Sequence, residues 1–131
     1  MRLLLDTQAI LWWREGNRRL GSRARRAIEA EATAVFVSAA AVWEIAIKSR
    51  LGKLKLRDPL DRWMPAALEG HGFAMLSVTV PHAVAVAALP AHHADPFDRL
   101  LIVQAQHENL TIVTSDTAFE DYDVSVLDAR V

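Results

Sequence analysis

Four carboxylates in this chain, Asp6, Glu44, Asp98 and Asp116, stand at positions where acids can do chemistry. Asp6 directly follows the apolar run Leu3-Leu4-Leu5, and Asp116 lies just beyond Leu110–Thr114, after Thr114-Ser115. Glu44 falls about two turns into a helical stretch that follows Val35-Phe36-Val37. Asp98 sits one turn into the helical stretch that precedes Leu110–Thr114. In an open α/β sheet the ligand crevice lies beyond the carboxyl ends of the strands, so these separated stretches are expected to converge on one edge. Carboxylates brought together repel unless a cation joins them or they take up protons. Oxygen donors suit hard dications such as Mg²⁺ and Mn²⁺. A pair of such ions about 4 Å apart meets the needs of phosphodiester hydrolysis: an activated water, a neutralised phosphate and a stabilised leaving oxygen.

Each acid also has a plainer use. Asp6 would serve equally as the cap of the helix that follows, since Asp is a favoured N-cap. Asp116, taken alone, reads more readily as a turn residue. Glu44 lies within Ala39–Ile47, apolar on nearly every face, where an unpartnered carboxylate is costly. Lys48 at i+4 offers it an ion pair; a bound cation would relieve it more completely. Asp95 is the expected cap of the Pro96 helix, and Arg99 could neutralise Asp98 in a purely structural pair.

The elements that must position these acids follow from punctuation and apolar runs. Leu3–Leu5 predicts a first strand, then a helix with Ile10 and Trp13, or Trp12 as well, on its buried side. Asn17–Gly21 breaks the chain, and Ser22 predicts the cap of a basic helix through Ala32. Val35–Val37 is a second strand; Ser38 caps a helix over Ala39–Leu51, closed by Gly52. Asp58-Pro59 predicts a helix reaching about Gly70, because proline is tolerated in the first turn. Phe73–Val78 is a third strand, Thr79–Leu89 a short helix stopped by Pro90, and Asp95-Pro96 opens a helix to about His107. Leu110–Thr114 is a fourth strand and Val124–Leu127 a fifth. The strand runs lack the alternation of a half-exposed sheet, which implies an α/β fold with a parallel sheet covered on both faces.

Composition narrows the classes further. With 131 residues and 52% hydrophobic residues, the chain suits one folded domain over residues 1–131 and excludes disorder. No apolar run is long enough to span a bilayer and the start does not read as a secretory signal, so a soluble cytoplasmic protein is expected. The chain has no cysteine, which rules out disulfides, thiolate metal sites and cysteine nucleophiles. The net charge of −1 conceals a divided chain: residues 1–57 carry +7 and residues 58–131 carry −8. Such asymmetry fits one cationic face meeting a polyanion, or a solvated surface in which charge happened to cluster.

The blocks Leu3-Leu4-Leu5-Asp6-Thr7, Val37–Lys48 with its Trp43-Glu44-Ile45 core, His92–Leu101 with Asp95-Pro96-Phe97-Asp98-Arg99, and Val113-Thr114-Ser115-Asp116 closely resemble a PIN domain. Within it they look like the VapC-type toxins of bacterial toxin–antitoxin pairs, over almost the entire chain and in order. The resemblance implies a three-layer α/β/α sandwich around a parallel sheet, Mg²⁺- or Mn²⁺-dependent endoribonuclease activity and neutralisation by a small cognate antitoxin. The family's three core acids fall on Asp6, Glu44 and Asp98, its more variable fourth on Asp116, and Thr114 or Ser115 would orient a carboxylate or water. Gln8 stands where related sequences often carry His, a departure that touches no acid. Asp6, Glu44 and Asp98 would hold one ion and Asp116 a second ion or its water shell, with cleavage expected to leave a 5′-phosphate and a 3′-hydroxyl.

Partners expected on this reading are an RNA substrate, an antitoxin and a second copy in a homodimer, and no membrane. The cations Arg14, Arg18, Arg19, Arg23, Arg25, Arg26, Lys48, Arg50, Lys53, Lys55 and Arg57 could meet RNA phosphates, an acidic antitoxin tail or only solvent. His92 and His93 lack further ligands at zinc spacing and read as loop residues near the active edge, touching substrate. Trp12 and Trp13 cannot both face inward on one helix, which leaves one for a dimer or antitoxin groove. Two rival classes are a phosphoacceptor signalling domain and a silent binding module of the same fold. The first wants paired acids after the first strand and a late Lys, yet Asp6 stands alone and no Lys follows Lys55. Retention of all four acids argues against the second.

Overall fold

The computed structural model describes residues 1–131. Five strands, β1 (Arg2–Leu5), β2 (Ala34–Ser38), β3 (Ala74–Leu76), β4 (Thr111–Thr114) and β5 (Ser125–Asp128), form one sheet in the order β3-β2-β1-β4-β5. Every pairing is parallel, with Leu4 opposite Phe36 on one side and Ile112 on the other. The chain builds outward from β1 to β3, then crosses back to place β4 on the other side of β1. The boundary between β1 and β4 is therefore the topological switch point, where the strand ends open a crevice.

The helices are α1 (Thr7–Glu15), α2 (Ser22–Glu29), α3 (Ala39–Arg50), α4 (Leu60–Trp63), α5 (Ala66–Gly70), α6 (Val80–Ala85) and α7 (Pro96–Glu108). Successive strand residues point to opposite faces, and both faces here are dry. Leu3, Leu5, Val35, Val37 and Val113 pack with Ile10, Ile28, Trp63 and Leu68 on one side of the sheet. Leu4 and Ile112 pack with Leu101, Ile102, Ala105 and Phe119 on the other. That double burial is why Leu3-Leu4-Leu5 is apolar without alternation. The result is the expected three-layer α/β/α arrangement.

Several boundaries differ from the sequence-based expectations, each for a visible reason. Ser22 is not the cap of α2; Gly21 is, without a side-chain bond, and the helix stops at Glu29 rather than Ala32. The stretch from Pro59 to Gly70 is two short helices, because Pro65 has no N–H to continue the ladder and Met64 is extended. Asp58 leaves the capping position to Pro59 and its side chain lies 3.5 Å from Arg14 Nη2. The edge strand β3 is only Ala74–Leu76, and the Ser77 carbonyl beyond it accepts from Gln104 Nε2 at 3.2 Å. Val86–Ala88 tightens into a 3₁₀ turn after α6. Trp12, not Trp13, is the fully buried tryptophan of α1, whereas Trp13 packs across Phe73 at 4.7 Å between ring centroids. The tryptophan left to solvent is Trp43, 60% exposed against Phe97.

Candidate active site

Asp6 sits at the switch point. Its N–H donates to the Val113 carbonyl at 3.1 Å, extending the β1–β4 ladder by one residue. Its Oδ1 accepts the Ala9 N–H at 2.8 Å, so it caps α1 while remaining in the crevice. Thr114, the last residue of β4, is buried beside it, its hydroxyl favouring the ionised Asp6 carboxylate, and accepts the Asp116 N–H at 3.0 Å. One threonine thus stands between the acids that follow β1 and β4. Asp116 also behaves as a turn residue, accepting the Ala118 N–H at 2.9 Å, and lies on the exposed rim.

α3 packs against both α1 and α7 and carries Glu44 into the space between them. Glu44 is 4% exposed. Its Oε1 accepts the Thr7 hydroxyl at 2.6 Å, and its Oε2 pairs with Lys48 Nζ one turn along the helix. The ion pair anticipated from the i,i+4 spacing is therefore present.

α7 begins as predicted. Asp95 Oδ1 accepts the N–H groups of Phe97 and Asp98 at 2.8 and 3.1 Å, which leaves Asp98 free to face the crevice from the first turn. Arg99 does not neutralise Asp98. Its guanidinium turns back along the preceding loop and donates to the carbonyls of Val86, Leu89, Pro90 and His93. The arginine braces the loop that presents His93 and Asp95.

Asp6, Glu44, Asp98 and Asp116 all line one cavity of about 340 Å³, together with Lys48 and Lys53. The crowding shows in their proton affinities. Burial pushes the Asp6 carboxyl up to about 6, with Thr114 and Ala9 opposing and Glu44 and Asp116 reinforcing. Burial, then Asp95 and Glu44, push Asp98 up to about 7, with His93 opposing. Lys48 is raised by its hydrogen bond to Glu44 and by the fields of Asp95 and Asp98. Carboxylate oxygens crowded so that two of them, Asp6 and Asp98, disfavour ionisation are what a hard dication relieves, so the residues fit Mg²⁺ or Mn²⁺.

His93 is the participant that sequence reasoning placed only near the edge. Its Nε2 lies 3.0 Å from Asp98 Oδ2 and 3.2 Å from Asp116 Oδ2. These three residues offer ligand atoms within 4.8 Å of one another, a group that does not include Asp6 or Glu44. Its Nδ1 accepts the Asp95 N–H at 3.3 Å, so the neutral ring carries its proton on Nε2. In this arrangement His93 is a donor that bridges two carboxylates. The available signal was its spacing two residues before the Asp95 cap, which folds the ring back over the helix start. His92 instead stacks edge-on against Tyr122 at 5.1 Å.

Comparison with known proteins agrees with this architecture. The profile of the PIN domain matches residues 3–125. No curated protein sequence matches the chain. Among solved structures, FitAB bound to an IR36 DNA fragment is similar at a TM-score of 0.70 and 20% identity, covering 98% of this chain and 96% of that one. VapBC2 from Rickettsia felis, bound to a promoter DNA fragment, is similar at a TM-score of 0.72 and 14% identity, covering 97% and 98%. FitAcB from Neisseria gonorrhoeae follows at 0.67 and 22%, covering 97% of each chain. These likenesses speak for the fold; the profile match over residues 3–125 speaks for the family. With its acids gathered at the switch point of a parallel sheet, the chain belongs to the PIN-domain family, whose members are nucleases.

Proposed function

We propose that the protein is a metal-dependent endoribonuclease of the VapC type, the toxin of a toxin–antitoxin pair, held in check by a cognate antitoxin. The observation that carries this reading is the cavity that Asp6, Glu44, Asp98 and Asp116 line together with Lys48 and Lys53. Carboxylates and lysines lining one cavity suit a phosphodiester held by a dication. Mg²⁺ or Mn²⁺, held by Asp6, Glu44 and Asp98, would supply charge neutralisation and an activated water.

The chain's own residues do the rest. The Thr7 hydroxyl holds Glu44 and the Ala9 N–H holds Asp6, so these donors need little reorganisation when substrate arrives. Asp116 on the rim is placed to orient the attacking water or a second ion. Similarity to the VapBC and FitAB structures supports an antitoxin partner, and the cationic residues of the first half offer a surface for RNA.

The test is cleavage of RNA by purified protein across a Mg²⁺ and Mn²⁺ series, with Asp6→Asn beside it. Asp6→Asn keeps the Ala9 cap, because the amide oxygen still accepts, while weakening the metal donor. Cleavage is expected to require metal, to stop on chelation, and to fall by about 10²-fold or more in Asp6→Asn with the fold intact. Activity that ignores chelator, or a fully active Asp6→Asn protein, refutes the assignment.

A further inference from the structure

The carboxylate cluster is not left bare in the folded chain: Lys48 is seated on it. Its Nζ pairs with Glu44 Oε2, on a carboxylate 6% exposed, while the lysine side chain itself is 43% exposed. The bond therefore joins a buried acid to a half-solvated cation. Lysine is a compact charge on a flexible four-carbon stem, and the solvated side of Lys48 leaves it room to turn. Lys48 also lines the same cavity as Asp6, Asp98 and Asp116, so a small rotation keeps it within the site. Arg99 cannot share this task, because its donors are committed to the carbonyls of Val86, Leu89, Pro90 and His93.

We propose that Lys48 is an exchangeable counter-ion, which neutralises Glu44 in the metal-free protein and turns to the scissile phosphate when a dication takes its place. The role rests on the nuclease reading and assigns within it a phosphate-positioning residue one helical turn beyond the acid. Two requirements that conflict in a bare cluster are met by one side chain. Before loading, the buried Glu44 has a partner; after loading, the displaced positive charge stands where the phosphate must gather negative charge in the transition state.

Lys48→Met keeps the length of the stem and removes the charge. Calorimetric titration with Mn²⁺ alone is expected to show binding at least as tight as wild type, by up to about ten-fold, because a competitor for Glu44 is gone. Inorganic phosphate binding to the Mn²⁺-loaded protein should weaken about ten-fold, with RNA cleavage lowered through kcat by roughly 10–100-fold. Lys48→Arg should restore most of the phosphate affinity, which also shows that a defect in the Met protein is not misfolding. Weaker Mn²⁺ binding by Lys48→Met overturns the proposal by making Lys48 an organiser of Glu44. Unchanged phosphate binding and cleavage overturn it by making the pair a surface contact only. A wild-type protein that binds no Mn²⁺ and cuts no RNA fails the nuclease reading itself, and is told apart by that.

Discussion

At Asp6 one carboxylate caps α1 through Ala9 and also faces Glu44 and Asp116, so cap and candidate ligand are the same residue. The same holds for Asp116, which is both the turn residue of the Thr117–Asp121 segment and a member of the cluster. The alternatives drawn from sequence were therefore not exclusive, and no count of spacings could have shown it. Glu44 was more legible: an acid within an apolar helix must have a partner, and Thr7 and Lys48 supply it. His93 was not legible as a bridge, because its place over α7 depends on a loop that Arg99 braces through carbonyl contacts. A pH dependence follows from these residues. Asp6 and Asp98 hold protons up to about 6 and about 7 in the fold against 3.8 unfolded. A carboxyl whose affinity is raised contributes stability below its unfolded value and loses it as pH climbs through the folded one. Glu44, Asp95 and Asp116 deepen the effect and His93 relieves it at Asp98. Thermal unfolding in chelator should accordingly show a Tm that falls between about pH 4 and pH 7, the interval from the unfolded to the folded values, with Mg²⁺ raising it more at the upper end. A Tm indifferent to both would mean that these carboxyls are not crowded.

The elements show why strands and long helices were legible while short ones were not. Leu3–Leu5 and Leu110–Thr114 announce themselves by double burial, and Asp95-Pro96 by a cap whose oxygen takes two N–H groups. The stretch from Pro59 to Gly70 looks like one helix because its breaker, Pro65, is surrounded by good helix formers. The start of α2 depends on a contact far away in sequence. Gly21 N–H donates to the Ala129 carbonyl at 2.8 Å, and Arg23 N–H to the Val131 carbonyl at 2.9 Å. A Cβ on Gly21 would stand 2.3 Å from the Val131 carbonyl carbon, against backbone that has no flexible end to yield. Ser22 looked like the cap only because this pressure is invisible in the sequence. Gly21→Ala should cost about 1–3 kcal/mol, read as a lower urea midpoint with the slope unchanged. An unaltered midpoint would show that the segment from Ala129 to Val131 is not pinned there.

Across the whole molecule, the divided charge of the chain acquires a location. β1 comes from the basic first half and β4 from the acidic second half, and the cavity opens at their junction. Asp6, Glu44, Lys48 and Lys53 arrive from one half, Asp98 and Asp116 from the other. Parallel packing was legible because continuous apolar runs demand cover on both faces. The strand order was not, since nothing local says on which side of β1 the fourth strand returns. No helix is long and apolar enough to cross a membrane. Whether these acids share a dication is measured directly by calorimetric Mn²⁺ titration of the wild type and of Asp6→Asn, Glu44→Gln and Asp98→Asn. Wild type should bind Mn²⁺, with each substitution weakening it by about ten-fold or more. Wild-type protein that takes up no Mn²⁺, or variants that bind it as well as wild type does, would contradict a shared dication at Asp6, Glu44 and Asp98.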